Sequence, residues 1–384
     1  MLGTMPAADL NLLALLLPLG TSLLLLLARG IRLRAALARV PVRMHVGGTR
    51  GKSSVCRLIA SGLRAAGIRT LAKTTGADPL LLLPDGSVRP WLRLGPASIG
   101  EQRRFALLAS RMRVQATVLE CMAIRSDLVR ASERDLVRAT VAVITNIRPD
   151  HLEDLPSIEA IAESCLGLVP EHGVLVASED ALSAPLRTCA AKLGTAILAV
   201  PTAGLSANEA NRAIARAACE AAGVPLPRLE SEDAASDPGA FALSDLELQG
   251  KRFRFANAFA CNDTVSLDLL WRQHATEAAP AVALLNHRGD RPLRSLQFLD
   301  YFAGLPQRPR LLLLGSTFWL RRAARRRGLE VRALSSLPWI SSAALIERIA
   351  LAVPEGAMVW GVGNYHGRGA AIVQALRAEA ACSR

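Results

Sequence analysis

Residues 44–54 of this chain read Met44-His45-Val46-Gly47-Gly48-Thr49-Arg50-Gly51-Lys52-Ser53-Ser54. An apolar strand over 42–46 runs into a glycine-rich turn, and Gly51-Lys52-Ser53 opens a helix. That order aims backbone N–H groups at one point, where the helix dipole adds about half a positive charge. It is the geometry of a phosphate cradle. Lys52 supplies a compact ammonium, and the Ser53 hydroxyl offers an oxygen to Mg²⁺. The long G-x-x-x-x-G-K-[ST] pattern fails because Val46 stands where its first glycine belongs, which leaves the shorter G-T-x-G-K-[ST] form. A glycine turn without a ligand is the plain alternative. Composition argues against it: of 46 Lys and Arg residues only four are Lys, at 52, 73, 192 and 251. Where Arg serves almost every cationic position, a Lys inside this turn marks a need for a point charge rather than a fork.

The length of 384 residues allows two or three domains with ample core. Mean hydropathy is positive, +0.26. Its source is the stretch 10–28, LNLLALLLPLGTSLLLLLA, which carries no charge over 19 positions. As a helix it would be about 28 Å long, enough to span a bilayer core. Pro18 and Gly20 are tolerated in lipid. A cleaved signal peptide would need basic residues ahead of the apolar run, where only Asp9 is charged. Arg29, Arg32, Arg34, Arg39 and Arg43 follow it instead. The positive-inside rule then predicts a single-pass anchor in the inner (cytoplasmic) membrane, with everything downstream in the cytoplasm. Seven scattered cysteines without C-x-x-C spacing point to reduced thiols rather than a zinc or disulfide framework. The net charge of +13 fits anionic lipid beside the anchor or a solvated surface. It does not point to nucleic acid, because aromatics are 4% of the chain and none interleave with the basic runs.

Strand-like runs at 42–46, 68–72, 115–120, 140–145, 174–177 and 196–200 alternate with helical patterns at 52–66, 99–112, 157–168 and 181–193. The helix at 99 is expected to open with a capping box, Ser98 to Glu101. The Pro- and Gly-rich stretch 76–96 reads as a hairpin or surface excursion. Such alternation predicts a mostly parallel sheet wrapped by helices. The Pro-, Asp- and Ser-rich segment 225–240 reads as a linker. Beyond it, strands near 281–286, 310–315 and 356–361 form a second, smaller α/β unit. The expected division is an anchor and basic flank over 1–39, a phosphate-binding α/β domain over 40–235 and a second domain over 236–384.

Open α/β sheets bind ligands at the carboxyl ends of their strands. The strand ending at 120 delivers Glu120, and the one ending near 145 delivers Asn146, with Asp150-His151 just beyond. If both strands flank the first, Glu120 and His151 meet at the glycine turn as candidate Mg²⁺ ligands. Singly, Glu120 is equally a cap or salt-bridge partner, and His151 an ordinary loop histidine. In the second unit Asn262-Asp263-Thr264, the run 286–291 and Gly361-Val362-Gly363-Asn364 stand at strand-to-helix junctions.

Taken together, G-T-R-G-K-S-S (48–54), A-K-T-T-G (72–76), Glu120-Cys121-Met122, Asp150-His151, D-P-G-A (237–240), N-D-T (262–264), 286–291 and G-V-G-N-Y-H-G (361–367) resemble one family in order and spacing. It is the membrane-associated catalytic subunit of poly-γ-glutamate synthase, a relative of the Mur peptide ligases. The resemblance runs from about residue 40 to the C-terminus. It implies a P-loop-type, Mur-ligase-like ATPase domain followed by a smaller Rossmann-like α/β domain behind an N-terminal transmembrane helix. It further implies an ATP-dependent amide ligase, with ATP and Mg²⁺ as cofactors. Glutamate and the growing poly-γ-glutamate chain would be its substrates, and small membrane subunits its partners. By position, Gly48, Thr49, Arg50, Gly51, Lys52, Ser53 and Ser54 would hold the phosphates, and Asn211 would contact adenine. Ser53, Glu120 and His151 would place Mg²⁺. Asp263, Arg288 and Asp290 would act from the second domain, Asp290 on the nucleotide side.

Two departures from that pattern stand out. Mur ligases often carry a carbamylated Lys soon after the D-H pair, and no Lys occurs here between 74 and 191. An Arg commonly lies just after D-P-G-A, as D-P-G-A-x-R, and here Phe241 and Ala242 fill those two positions, leaving Arg252, Arg254 or Arg288 as substitutes. Two alternatives remain at this stage. One is another Mur-type ligase, for example one acting on folate. The other is a membrane-tethered P-loop switch without ligase activity.

Overall fold

The computed structural model describes residues 7–75, 79–93, 97–148, 155, 157–224, 241–259, 261, 264–276, 279–287, 292–315, 318–335, 341–365 and 368–382. The chain forms two compact units, one of Met1–Arg148 with Ile158–Leu229 and one of Pro149–Ser157 with Glu230–Arg384. The linker expected over 225–240 lies outside the described residues.

The first unit opens with helix α1, Ala7–Ala38. It is long and apolar enough to cross a membrane, and Leu16–Leu19 and Leu23–Leu27 are exposed along it. Its last turns are different: Leu33 and Leu37 are buried against Ala106. The chain then alternates through β1 (Val42–Gly47), α2 (Lys52–Ala65), β2 (Thr70–Lys73), β3 (Leu80–Leu82), β4 (Val88–Pro90), α3 (Gly100–Arg111) and β5 (Ala116–Glu120). There follow α4 (Ser126–Ala131), a π-helical turn (Ser132–Val137), β6 (Val141–Ile144), α5 (Ile158–Leu166), β7 (Val174–Ser178), α6 (Ala184–Lys192), β8 (Ala196–Val200) and α7 (Ala207–Ala221).

The eight strands order as β4-β3-β2-β5-β1-β6-β7-β8. All neighbours are parallel except the hairpin β3–β4 and its pairing to β2. The excursion expected at 76–96 is thus an antiparallel edge of the main sheet. Both faces are covered, so the inner strands are continuous apolar runs rather than alternating ones. Met44 and Val46 on β1 pack under α2 and α7. His45, between them, faces the other layer and meets Glu133 of the π turn.

The second unit holds β9 (Leu243–Leu248), β10 (Lys251–Asn257), α8 (Thr264–His274), β11 (Ala281–Asn286), α9 (Pro292–Gly304) and β12 (Arg310–Leu314). It continues with α10 (Phe318–Arg326), β13 (Val331–Ser335), α11 (Ser342–Ala352), β14 (Met358–Gly363) and α12 (Arg368–Cys382). Its sheet runs β13-β12-β11-β14-β10-β9, with only β9 antiparallel. Phe253, Leu284, Leu312 and Val359 fill one face. Leu285, Leu313, Trp360 and Val362 fill the other, against Phe298 and Phe302.

The expected capping box at Ser98 does not form. Ile99 occupies the cap of α3 without a side-chain bond, and only the Gly100 N–H reaches the Ser98 hydroxyl, at 3.1 Å. The Glu101 carboxylate has turned inward, 3.0 Å from Lys73 Nζ and 2.8 Å from Arg93 Nε. A buried ammonium outbids an exposed N–H for that carboxylate.

Candidate active site at the glycine-rich turn

Strand β1 lies between β5 and β6, with Val46 opposite Glu120 and Gly47 opposite Ile144. The carboxyl ends of three adjacent strands therefore deliver the glycine turn, Glu120 and Thr145-Asn146 to one rim. This is the switch point of the sheet: β1 connects onward to β2 on the β5 side, and β6 to β7 on the other.

The turn demands glycine at two positions. Gly48 has φ 105°, and a Cβ there would strike the Thr145 hydroxyl and the Asn146 carbonyl. Gly51, the cap of α2, has φ 76°, and a Cβ there would strike the Asn211 side chain of α7. Asn146 braces the loop: its Oδ1 accepts from the Thr49 hydroxyl at 2.7 Å and the Arg50 N–H at 3.0 Å. The Thr145 hydroxyl donates to the Arg50 carbonyl at 2.6 Å. Lys52 Nζ folds back over the turn and donates to the carbonyls of Gly48 and Thr49, at 2.9 and 3.2 Å.

At the foot of α2 the Ser53 hydroxyl donates to Glu120 Oε2 at 2.7 Å. The Thr75 N–H donates to the same oxygen at 2.8 Å. Glu120 is buried, so its carboxylate is held by two donors from two elements. A hydroxyl and a carboxylate oxygen converging beneath a helix N-terminus form a donor set suited to a hard divalent cation. The residues present thus fit Mg²⁺ bound with a nucleotide phosphate.

Behind this rim lie two buried ion pairs that the sequence did not announce. Lys73 is fully buried, 5.2 Å from the centre of the Trp91 ring. Burial lowers its pKa, while Glu101 works the other way. His45 Nδ1 lies 2.7 Å from Glu133 Oε2, both buried, and Glu133 Oε1 also accepts the Ala139 N–H at 2.7 Å. Burial opposes charge on the imidazole, but Cys121 and Glu133 beside it prevail and raise its pKa to about 10. Both pairs flank strand ends that carry site residues: Lys73 precedes Thr74-Thr75, and His45 lies under Cys121, the neighbour of Glu120.

Of the residues singled out from sequence, Gly48, Thr49, Arg50, Gly51, Lys52, Ser53, Ser54, Glu120 and Asn211 belong to this one rim or the start of its helix. His151, Asp263, Arg288 and Asp290 lie outside the described residues. In the second unit the carboxyl ends of β11 and β14 join through Asn286 Nδ2, which donates to the Asn364 carbonyl at 2.6 Å. His287 follows, its Nδ1 2.8 Å from the Ser295 hydroxyl. Phe241, next to the Ala242 position where an Arg is common, stacks on His274 and Trp360 and completes the aromatic packing of this unit. Arg252 and Arg254 are committed to cross-strand pairs with Glu247 and Asp245, at 3.0 and 2.7 Å. Both pairs lie on the β9–β10 edge.

A model of the Mur ligase middle domain matches residues 46–261. A model of the poly-gamma-glutamate synthase CapB C-terminal domain matches residues 244–379. The chain is 26% identical over 356 residues to the PGA synthase CapB of Bacillus subtilis (strain 168), covering 88% of this chain and 90% of the relative. It is 27% identical over 360 residues to the capsule biosynthesis protein CapB of Bacillus anthracis, covering 88% and 77%. Among solved structures, E. coli FolC in complex with ADP superposes with a TM-score of 0.65 at 16% identity, over 92% of this chain and 94% of that one. The Yersinia pestis folylpolyglutamate synthase/dihydrofolate synthase complexed with AMPPNP and Mn gives 0.58 at 17%, over 91% and 93%. At such identities the structural likeness is one of fold.

Proposed function

This chain belongs to the Mur ligase family, and we propose that it is an ATP-dependent amide ligase that joins glutamate units through γ-amide bonds into poly-γ-glutamate. Two family models that together span most of the chain, and two CapB relatives matched over 88% of it, support that reading. The observation that carries it is the 2.7 Å contact of Ser53 with Glu120 at the foot of a glycine-capped helix. The two residues are 67 positions apart in sequence, and their meeting brings a hydroxyl and a carboxylate oxygen to one point at a helix N-terminus.

In the proposed reaction a glutamate γ-carboxylate oxygen attacks the γ-phosphorus of ATP. The bond to the bridging oxygen breaks, and ADP leaves an acyl phosphate behind. The amine of the next glutamate attacks the acyl carbon, the carbon–oxygen bond to phosphate breaks, and the amine proton is released with inorganic phosphate. The chain's own part is positioning and charge neutralisation. The N–H groups of the turn hold the β- and γ-phosphates, and Lys52 exchanges its two carbonyl partners for the transferring phosphoryl. Mg²⁺, when bound, spreads the phosphate charge, and Ser53, Glu120 and His151 would hold it. Asn211 is assigned to adenine. Asp263 and Arg288 are assigned to the acyl-phosphate end, and Asp290 to the nucleotide. Helix α1 anchors the chain in the cytoplasmic membrane with its arginine side inward, where small membrane subunits would join it.

The test is incubation of the purified full chain with ATP, Mg²⁺ and radiolabelled glutamate, with and without a folate. Polymer and ADP are expected without folate, and Lys52→Ala should abolish both while the far-UV spectrum stays unchanged. Synthesis retained in Lys52→Ala would remove the phosphate-cradle assignment. Incorporation only when folate is present would make the chain a folate-type ligase instead.

A further inference from the structure

At the amino ends of β1 and β6, opposite the glycine turn, the first unit holds a cavity of about 730 Å³. One wall is the final turn of α1, at Arg34, Leu37 and Ala38, and the others carry Arg130, Arg138 and Lys192. The two acids that line it are Glu133 and Glu171, and Glu133 is already committed to His45 and the Ala139 N–H. Arg134, on the rim, pairs with Asp135 at 2.9 Å. Arg43 donates to the Val40 and Arg138 carbonyls, at 2.7 and 2.8 Å. Among the described residues Arg34, Arg130, Arg138 and Lys192 make no ion pair. Burial, and after it the neighbouring Arg138 cation, lower the Arg43 pKa, while Glu133 works the other way. The floor is apolar, with Leu166, Val169 and Leu193.

We propose that this cavity is a binding site for the phosphate headgroup of an anionic lipid, drawn from the leaflet in which α1 is anchored. The proposal rests on reading α1 as a membrane helix. The same helix that exposes Leu23–Leu27 forms the cavity wall, so the distance between bilayer and cavity is set by helical rise. Arg34 lies six residues past Ala28, where the uncharged stretch ends, which is about 9 Å along the axis. The headgroup zone beyond the hydrocarbon core is about 5–8 Å deep on each side. Arg34 therefore stands at the outer edge of the headgroup zone, within side-chain reach of its phosphates, and the apolar floor suits the glycerol and first methylenes of a lipid better than a free, fully hydrated phosphate. Arg34, Arg130, Arg138 and Lys192 are exposed around this recess, and four cations gathered about one opening attract a phosphodiester more strongly than the same charges spread apart.

The full chain in mild detergent, titrated with phosphatidylglycerol or phosphatidylcholine and followed by native mass spectrometry, tests this. One phosphatidylglycerol should be retained in preference to phosphatidylcholine, roughly tenfold or more. The Arg130→Gln, Arg138→Gln, Lys192→Gln variant should lose that preference while keeping its near-UV spectrum and its flotation with neutral vesicles. Should the substitutions disturb folding, excess inorganic phosphate on the unmodified chain makes the same distinction. Lipid retained against it supports the site, and phosphate displacing lipid at millimolar concentration overturns the lipid assignment. Equal retention of the two lipids, or a preference unchanged in the variant, overturns the proposal. A chain that does not float with neutral vesicles overturns the anchor and this site together, whereas ligase turnover is read separately by polymer formation.

Discussion

Glu120 accepts from Ser53 and from the Thr75 N–H through one oxygen, so the negative charge, and not the hydrogen bonding alone, is what its position offers a cation. Glu120→Gln keeps an acceptor in the same place and removes the charge. It is expected to raise the Mg²⁺ concentration for half-maximal ADP release by about tenfold or more, with little change in melting temperature. A parallel fall in stability would instead make Glu120 a structural ion-pair partner. His45 gives a pH signature of a different kind. Its pKa is about 10 when folded, against about 6.5 when unfolded. Between those values the folded state holds more protons, so the contribution is full below about pH 6.5 and falls as pH rises towards 10. Urea midpoints measured from pH 6 to 10 should therefore decline more steeply in the native chain than in His45→Gln. Equal slopes would mean that the Glu133 pair adds nothing.

Helix α3 was expected to begin with a capping box, yet its Glu101 neutralises Lys73 from beneath β2. The two roles differ in size. Losing a cap costs about 1 kcal/mol, whereas leaving a buried cation uncompensated costs about 3–5 kcal/mol. Glu101→Ala is expected to fall in the upper range by chemical denaturation, since Lys73 is fully buried. A loss near 1 kcal/mol would return the carboxylate to the helix end. Sequence spacing could not separate these readings, because an acid three residues after a serine fits either one. Only the placement of β2 alongside α3 decides between them. The helix that does form a full capping box, α7 at Ser206 and Glu209, has no buried charge competing for its carboxylate.

At the scale of the molecule, α1 joins two environments. Residues 16–28 of its apolar run are exposed along the helix, while Leu33 and Leu37 belong to the core with Ala106. Removing residues 1–28 should release the chain from membranes and leave its denaturation midpoint near that of the full chain. Removing 1–39 should also destabilise the first unit by about 3–6 kcal/mol, the burial of two leucines. Identical stability of the two truncations would show that the last turns of α1 contribute nothing to the fold. The loop and Glu120 were legible as members of one site because glycine, lysine and strand-end polar residues advertise a phosphate rim, whereas Asn211 was reached only through the family resemblance. Thr75 entered only within the A-K-T-T-G motif of the resemblance, and Thr145 and the Lys73–Glu101 and His45–Glu133 pairs were not legible, since a backbone donor or a buried charge has no local pattern.

From the amino acids alone came the alternation of strands and helices, the glycines that permit the αL turn, and an uncharged stretch as long as a bilayer core is thick. Each depends on neighbours within a few residues, through backbone sterics, periodicity or helical rise. Tertiary structure decided the rest. It set β5 and β6 on either side of β1, so that Glu120 meets Ser53, and it chose partners for His45, Lys73 and Glu101. Those outcomes join positions tens of residues apart, and a buried charge takes whichever opposite charge the closed sheet brings within reach.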